Sequence, residues 1–82
     1  MNQVTEILSS MLDVSADRVV AGFSMATEPT WDSLQQINVV VTLEEEFGIR
    51  FSDDELPQLT SYEGILAVLN AHGIRPKTDV VQ

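Results

Sequence analysis

Apolar residues fall at Val4, Ile7, Leu8, Met11 and Leu12, the i, i+3, i+4, i+7, i+8 spacing of a single helix face. The spacing predicts a helix of about three turns, with Asn2 as its N-cap. Residues 13–31 lose that period. They contain Gly22, Pro29 and scattered apolar positions, and they read as a long loop with one helical turn near residues 15–19 and Phe23 as its anchor. Residues 33–47 read as the next helix. Asp32 is a strong N-cap, Gln35 stands where a capping-box partner belongs, and Gly48 supplies the stop. Ile37, Val39, Val40, Val41 and Thr42 are β-branched and favour strand. The caps, the length and the helix-forming Glu44, Glu45 and Glu46 outweigh them. Ser52 to Glu55 form a capping box that predicts a short helix over residues 52–56, interrupted by Pro57. A second box from Thr60 to Glu63 leads into the stripe Tyr62, Ile65, Leu66, Leu69, closed by Gly73, Ile74 and Pro76. No segment alternates like a strand. The expected fold is therefore all-α: a four-helix bundle with three main helices, one short helix and a long first loop.

On a wheel of about 100° per residue, the helix over 33–47 carries two apolar arcs. Val39, Val40, Leu43 and Phe47 share one side. Leu34, Ile37 and Val41 lie on the other, flanked by Ser33 and Glu44 on one edge and Glu45 on the opposite edge. A surface helix of a small bundle buries one such arc. The Val39/Phe47 arc is assigned to the core, which leaves the Leu34/Ile37/Val41 arc exposed beside Ser33. An exposed apolar strip ringed by carboxylates reads as a recognition surface.

Composition narrows the function. The chain has 82 residues, enough for one domain, here residues 1–75 with a flexible tail over 76–82. It has no cysteine, which excludes disulfides, thiolate metal sites and cysteine nucleophiles. The formal net charge is −9, with 13 acidic and 4 basic residues. Such a chain repels nucleic acid and anionic membranes and attracts basic protein surfaces. Glu28, Asp32, Glu44, Glu45, Glu46, Asp53, Asp54 and Glu55 crowd one stretch around a single base, Arg50. No signal peptide is visible, and no apolar run is long enough to span a bilayer, so a cytoplasmic monomer is expected. The opening Met1 and short tail point to a free-standing chain.

Asp32-Ser33-Leu34, followed by Leu43-Glu44-Glu45-Glu46-Phe47-Gly48-Ile49, closely resembles the second helix of acyl carrier proteins. The long first loop with its phenylalanine, the short acidic segment at 52–56 and the helix after Thr60 extend the resemblance over most of the chain. The resemblance implies a 4′-phosphopantetheine arm on Ser33, attached from coenzyme A with magnesium by a phosphopantetheinyl transferase and ending in a thiol that holds an acyl thioester. It also implies that Asp32 assists in binding the transferase's magnesium. Acyl-loading and acyl-transfer enzymes with basic docking surfaces would then meet Leu34, Ile37, Val41, Glu44, Glu45, Asp53 and Asp54. The residue types agree with this. Ser33 would stand at the first helical position, where free N–H groups and the helix dipole favour a phosphate. A serine hydroxyl without a base is a poor nucleophile, so the attachment needs an external enzyme.

The chain departs from the family in two ways. Trp31 replaces a small residue common before the Asp-Ser pair. Gln35, Gln36 and Asn38 replace acids frequent in carriers of primary fatty acid synthesis, which points to a dedicated fatty acid, polyketide or related pathway. Nothing in the sequence supports an enzyme. His72 is the only histidine and suits a helix C-terminus, and Asp53-Asp54-Glu55 lack the alternate spacing of a calcium loop. The competing reading is an acidic helical interaction module without a prosthetic group.

Overall fold

A computed structural model describes residues 2–75, so the expected tail lies outside the described residues. Helix α1 spans Gln3–Leu12. Asn2 caps it, its side-chain oxygen accepting the Thr5 N–H at 2.9 Å. The helix ends at Asp13, whose φ of 55° is a left-handed conformation that Asp tolerates better than most residues. Helix α2 spans Ser33–Phe47, with Asp32 accepting the Gln35 N–H at 2.9 Å and Gly48 closing it at φ 65°. The caps and the packing of one face thus prevail over five β-branched residues. Helix α3 spans Tyr62–Ala71. It closes with Gly73 at φ 78° and the Ile74 N–H donated to the Leu69 carbonyl at 2.8 Å, a Schellman end. Two short 3-10 segments, Ala16–Arg18 and Leu56–Thr60, complete the described elements. No strand forms among the described residues, and Ser24 and Ser61 make an isolated antiparallel bridge.

Three local expectations change. Glu55 does reach back to the Ser52 N–H, at 2.9 Å, but no α-helix follows over residues 52–56. Pro57 has no N–H with which to continue an α-helical ladder back to the Asp53 carbonyl, and a turn leads into the tighter 3-10 segment. The cap of α3 is Ser61, which accepts the Gly64 N–H at 2.9 Å; the Thr60 hydroxyl instead donates to the Pro57 carbonyl at 3.1 Å. Gln35 makes no return bond to Asp32, and its side-chain oxygen accepts from Asn38 at 3.3 Å.

The core joins Val4, Leu8 and Leu12 of α1, Val39 and Leu43 of α2, and Ile65, Val68 and Leu69 of α3 with Leu59. Val19, Phe23 and Trp31 of the long loop enter the same cluster. Phe23 and Trp31 stack with centroids 5.6 Å apart and an interplanar angle of 29°. The loop is also stitched to the chain before α3. The Tyr62 N–H donates to the Phe23 carbonyl, and the Met25 N–H to the Thr60 carbonyl, both at 2.9 Å. Glu28 does not belong to the acidic surface with which the sequence grouped it. It is buried, pairs with the Arg18 guanidinium, and accepts from the Thr30 hydroxyl at 2.9 Å.

The two arcs of α2 make opposite predictions. Leu43→Ala should lower stability by about 2–5 kcal/mol in urea unfolding, and Ile37→Ala by less than about 0.5 kcal/mol. Gly64 lies inside α3, where propensity alone favours alanine. A Cβ there would meet the Gln58 carbonyl oxygen at 1.9 Å. Gly64→Ala is therefore expected to lower the thermal midpoint, with a cost of about 1–3 kcal/mol typical of overpacking.

Glu55 is held below the usual carboxylate range, first by the Ser52 N–H and then by His72, whose Nε2 lies 2.9 Å from one of its oxygens. A depressed carboxyl stabilises the fold above its unfolded value of about 4.3, and the contribution disappears as pH falls through the folded value. The urea-midpoint gap between the natural chain and Glu55→Ala should be present at about pH 6 and shrink progressively as the pH falls below the ordinary carboxylate range.

Candidate functional site

The site begins where the long loop hands the chain to α2. Trp31 is buried and Asp32 turns outward into an extended conformation, with φ −98° and ψ −176°, as an N-cap does. Ser33 follows as the first helical residue and is exposed, as is Asp32. Its hydroxyl makes no hydrogen bond among the described residues. The Asp32 carboxylate takes the Gln35 N–H and the Asp32 carbonyl takes the Gln36 N–H, both at 2.9 Å. The N–H groups of Ser33 and Leu34 have no acceptor among the described residues and face solvent at the positive end of a 15-residue helix. A free hydroxyl beside two free N–H donors suits an esterified phosphate. His72 is bonded to Glu55 at the end of α3, so the chain's single imidazole is not a base for Ser33.

The apolar arc stands beside this serine. Leu34 is 69% exposed, Ile37 61% and Val41 46%, whereas Val39 and Leu43 on the opposite arc are fully buried. Ile37 and Val41 form one wall of an apolar groove of about 440 Å³. Leu56, Pro57 and Thr60 form the other wall, and Asp53 sits at the edge. The groove runs between α2 and the 3-10 segment over Leu56–Thr60 because that segment packs its Leu59 inward and lines the groove with Leu56, Pro57 and Thr60.

The acidic residues divide by what they already hold. Glu45, Glu46, Asp53 and Asp54 are exposed. Glu44 is half-buried, and its Oε2 accepts the Phe51 N–H at 2.9 Å, so it also ties the chain after α2 back onto the helix. Val41, Glu44 and Glu45 share a second depression with Ile49 and Arg50. The structure thus joins Ile37, Val41 and Asp53 at one groove, and Val41, Glu44 and Glu45 at its neighbour. Leu34, Asp32 and Ser33 lie at the helix tip, and Asp54 lies on the exposed turn before the 3-10 segment.

Sequence reasoning missed Gln36. Its side chain accepts from the Trp31 indole N–H at 2.7 Å and donates to the Leu59 carbonyl at 3.0 Å. A buried indole N–H usually finds an acceptor, so Trp31 was the available signal. Among the described residues no group of acidic or histidine side chains is arranged to hold a metal, and no helix is long and apolar enough to cross a membrane.

Comparisons with known proteins agree with this geometry. A family model described as "Phosphopantetheine attachment site" matches residues 2–69. An acyl carrier protein of Thermosynechococcus vestitus is 31% identical over 70 residues, covering 85% of this chain and 86% of the relative. The polyketide-8 synthase acyl carrier protein 2 of Streptomyces avermitilis is 29% identical over 69 residues, covering 84% and 79% respectively. The chain belongs to the phosphopantetheine-binding acyl carrier family, whose members carry intermediates and are not enzymes.

Proposed function

We propose that Ser33 bears the 4′-phosphopantetheine arm and that the chain shuttles acyl intermediates of a dedicated fatty acid, polyketide or related pathway. The observation that carries this reading is the exposed, unbonded hydroxyl at the tip of α2, beside the free N–H groups of Ser33 and Leu34. When bound, the arm supplies a terminal thiol that holds the cargo as a thioester. Ser33 Oγ would be the point of esterification, where the two N–H groups and the positive end of the helix dipole would favour the charge of the phosphate. Asp32 caps the helix and leaves its second carboxylate oxygen toward solvent, where it can assist the magnesium of a phosphopantetheinyl transferase. The proton of the hydroxyl leaves to a base on that enzyme as the pyrophosphate bond of coenzyme A breaks and adenosine bisphosphate departs, since Ser33 hydrogen-bonds to no base among the described residues.

Leu34, Ile37 and Val41 form the apolar centre of the docking surface, and Glu44, Glu45, Asp53 and Asp54 its acidic rim, matched to basic partner enzymes that load or transfer acyl groups. The 3-10 segment over Leu56–Thr60 takes the place of the short third helix of a four-helix carrier bundle. The relatives, one an acyl carrier protein and one a polyketide synthase acyl carrier protein, support this range of cargo. The neutral Gln35, Gln36 and Asn38 in place of carboxylates favour a dedicated partner set acting on a monomeric cytoplasmic carrier.

Incubation with a broad-specificity phosphopantetheinyl transferase, coenzyme A and magnesium should add one phosphopantetheinyl group by intact mass. Ser33→Ala should add none. A gain that survives the substitution would place the attachment on another residue.

A further inference from the structure

Trp31 and Gln36, two residues the family resemblance marks as unusual, are bonded to each other. The Trp31 ring is 1% exposed and stacks on Phe23, so its indole N–H has no access to water. The side-chain oxygen of Gln36 takes that N–H at 2.7 Å, and its amide N–H reaches across to the Leu59 carbonyl at 3.0 Å. Gln36 sits on the first turn of α2, three residues after Ser33. The same loop is fixed at its other end by the Tyr62-to-Phe23 and Met25-to-Thr60 backbone bonds. Residues 23–31, the tip of α2 and residues 59–62 therefore form a closed hydrogen-bonded circuit, and the Gln36 amide joins its two halves.

We propose that Gln36 is a positioning residue for the modification of Ser33: by clamping Trp31 and the Leu59 carbonyl together, it holds the loop that delivers Ser33 to the helix tip in the presentation a transferase needs. The proposal rests on the reading of Ser33 as the attachment point. It also accounts for a neutral residue at this position. The clamp needs one acceptor and one donor on the same short side chain, which an amide has. A carboxylate could still accept from the indole, but it would set an oxygen against the Leu59 carbonyl. Without the clamp, Ser33 is correctly presented for only a fraction of the time, and the apparent affinity of the transferase for the carrier falls by that fraction.

The test compares the natural chain, Gln36→Glu, Trp31→Phe and Gln35→Glu. Gln35→Glu makes the same charge change one residue away, on a side chain outside the circuit. Transfer from saturating coenzyme A is followed as carrier concentration varies, and amide hydrogen exchange is measured at Met25, Tyr62 and Leu8. Gln36→Glu should raise KM for the carrier about tenfold with kcat within about twofold, the signature of a depleted competent state. Exchange should quicken at Met25 and Tyr62 while Leu8 of α1 stays protected. Trp31→Phe, which keeps the ring but loses the N–H, should shift KM in the same direction by a smaller factor. The proposal is overturned if Gln36→Glu matches Gln35→Glu in KM and retains natural protection at Met25 and Tyr62. If Gln36→Glu also loses protection at Leu8, Trp31→Phe decides, and an unchanged KM there overturns the clamp. A natural chain that accepts no phosphopantetheine refutes the reading of Ser33, and the exchange comparison then decides the clamp independently.

Discussion

A bundle of three α-helices can cover only one face of its second helix, and the rest of the structure follows from that limit. Helix α2 carries two apolar arcs, and the core takes the one that includes Val39 and Leu43. Covering Leu34, Ile37 and Val41 as well would require another helix packed on the outside, and the chain supplies instead a short 3-10 segment that meets the arc along one edge. An apolar strip is thereby left in water next to an exposed serine. Such a strip is a standing cost in a free monomer and a gain whenever a partner covers it.

The long loop resolves a second conflict. A free-running loop of this length would leave the tip of α2 poorly defined. Here Val19, Phe23 and Trp31 enter the core, and the buried Glu28 is paired with Arg18 and accepts the Thr30 hydroxyl. The carboxylates consequently fall into two groups. Glu28 serves the loop, while Glu44 and Glu55 fasten the segments that follow α2. Glu45, Glu46, Asp53 and Asp54 remain free in water, where they can steer a basic partner toward the apolar strip without destabilising the fold.

Most of this was legible in the sequence because its strongest signals are local. Asn2, Asp32 and Gly48 mark helix ends through bonds to residues three or four positions away, and both arcs of α2 follow from periodicity alone. The short segment after Ser52 was misread because a capping box specifies a start and not a length. Pro57 then favours a 3-10 path over an α-helix. The Glu28–Arg18 and Glu55–His72 pairs and the Gln36 bond to the Leu59 carbonyl had no local signal because their partners lie 10 to 23 residues away and depend on how the chain folds back. Gly64 was missed for the same reason, since its need for a bare Cα arises from the Gln58 carbonyl.

The proposed attachment point is a single atom, the Ser33 hydroxyl at the open end of α2. The most direct test is peptide mapping by tandem mass spectrometry of the protein isolated from its own host. The account predicts that the phosphopantetheinyl group, with any cargo still on its thiol, is found on the peptide containing Ser33 and on that residue. Finding it on a different residue, or finding the Ser33 peptide wholly unmodified in actively growing cells, would contradict it.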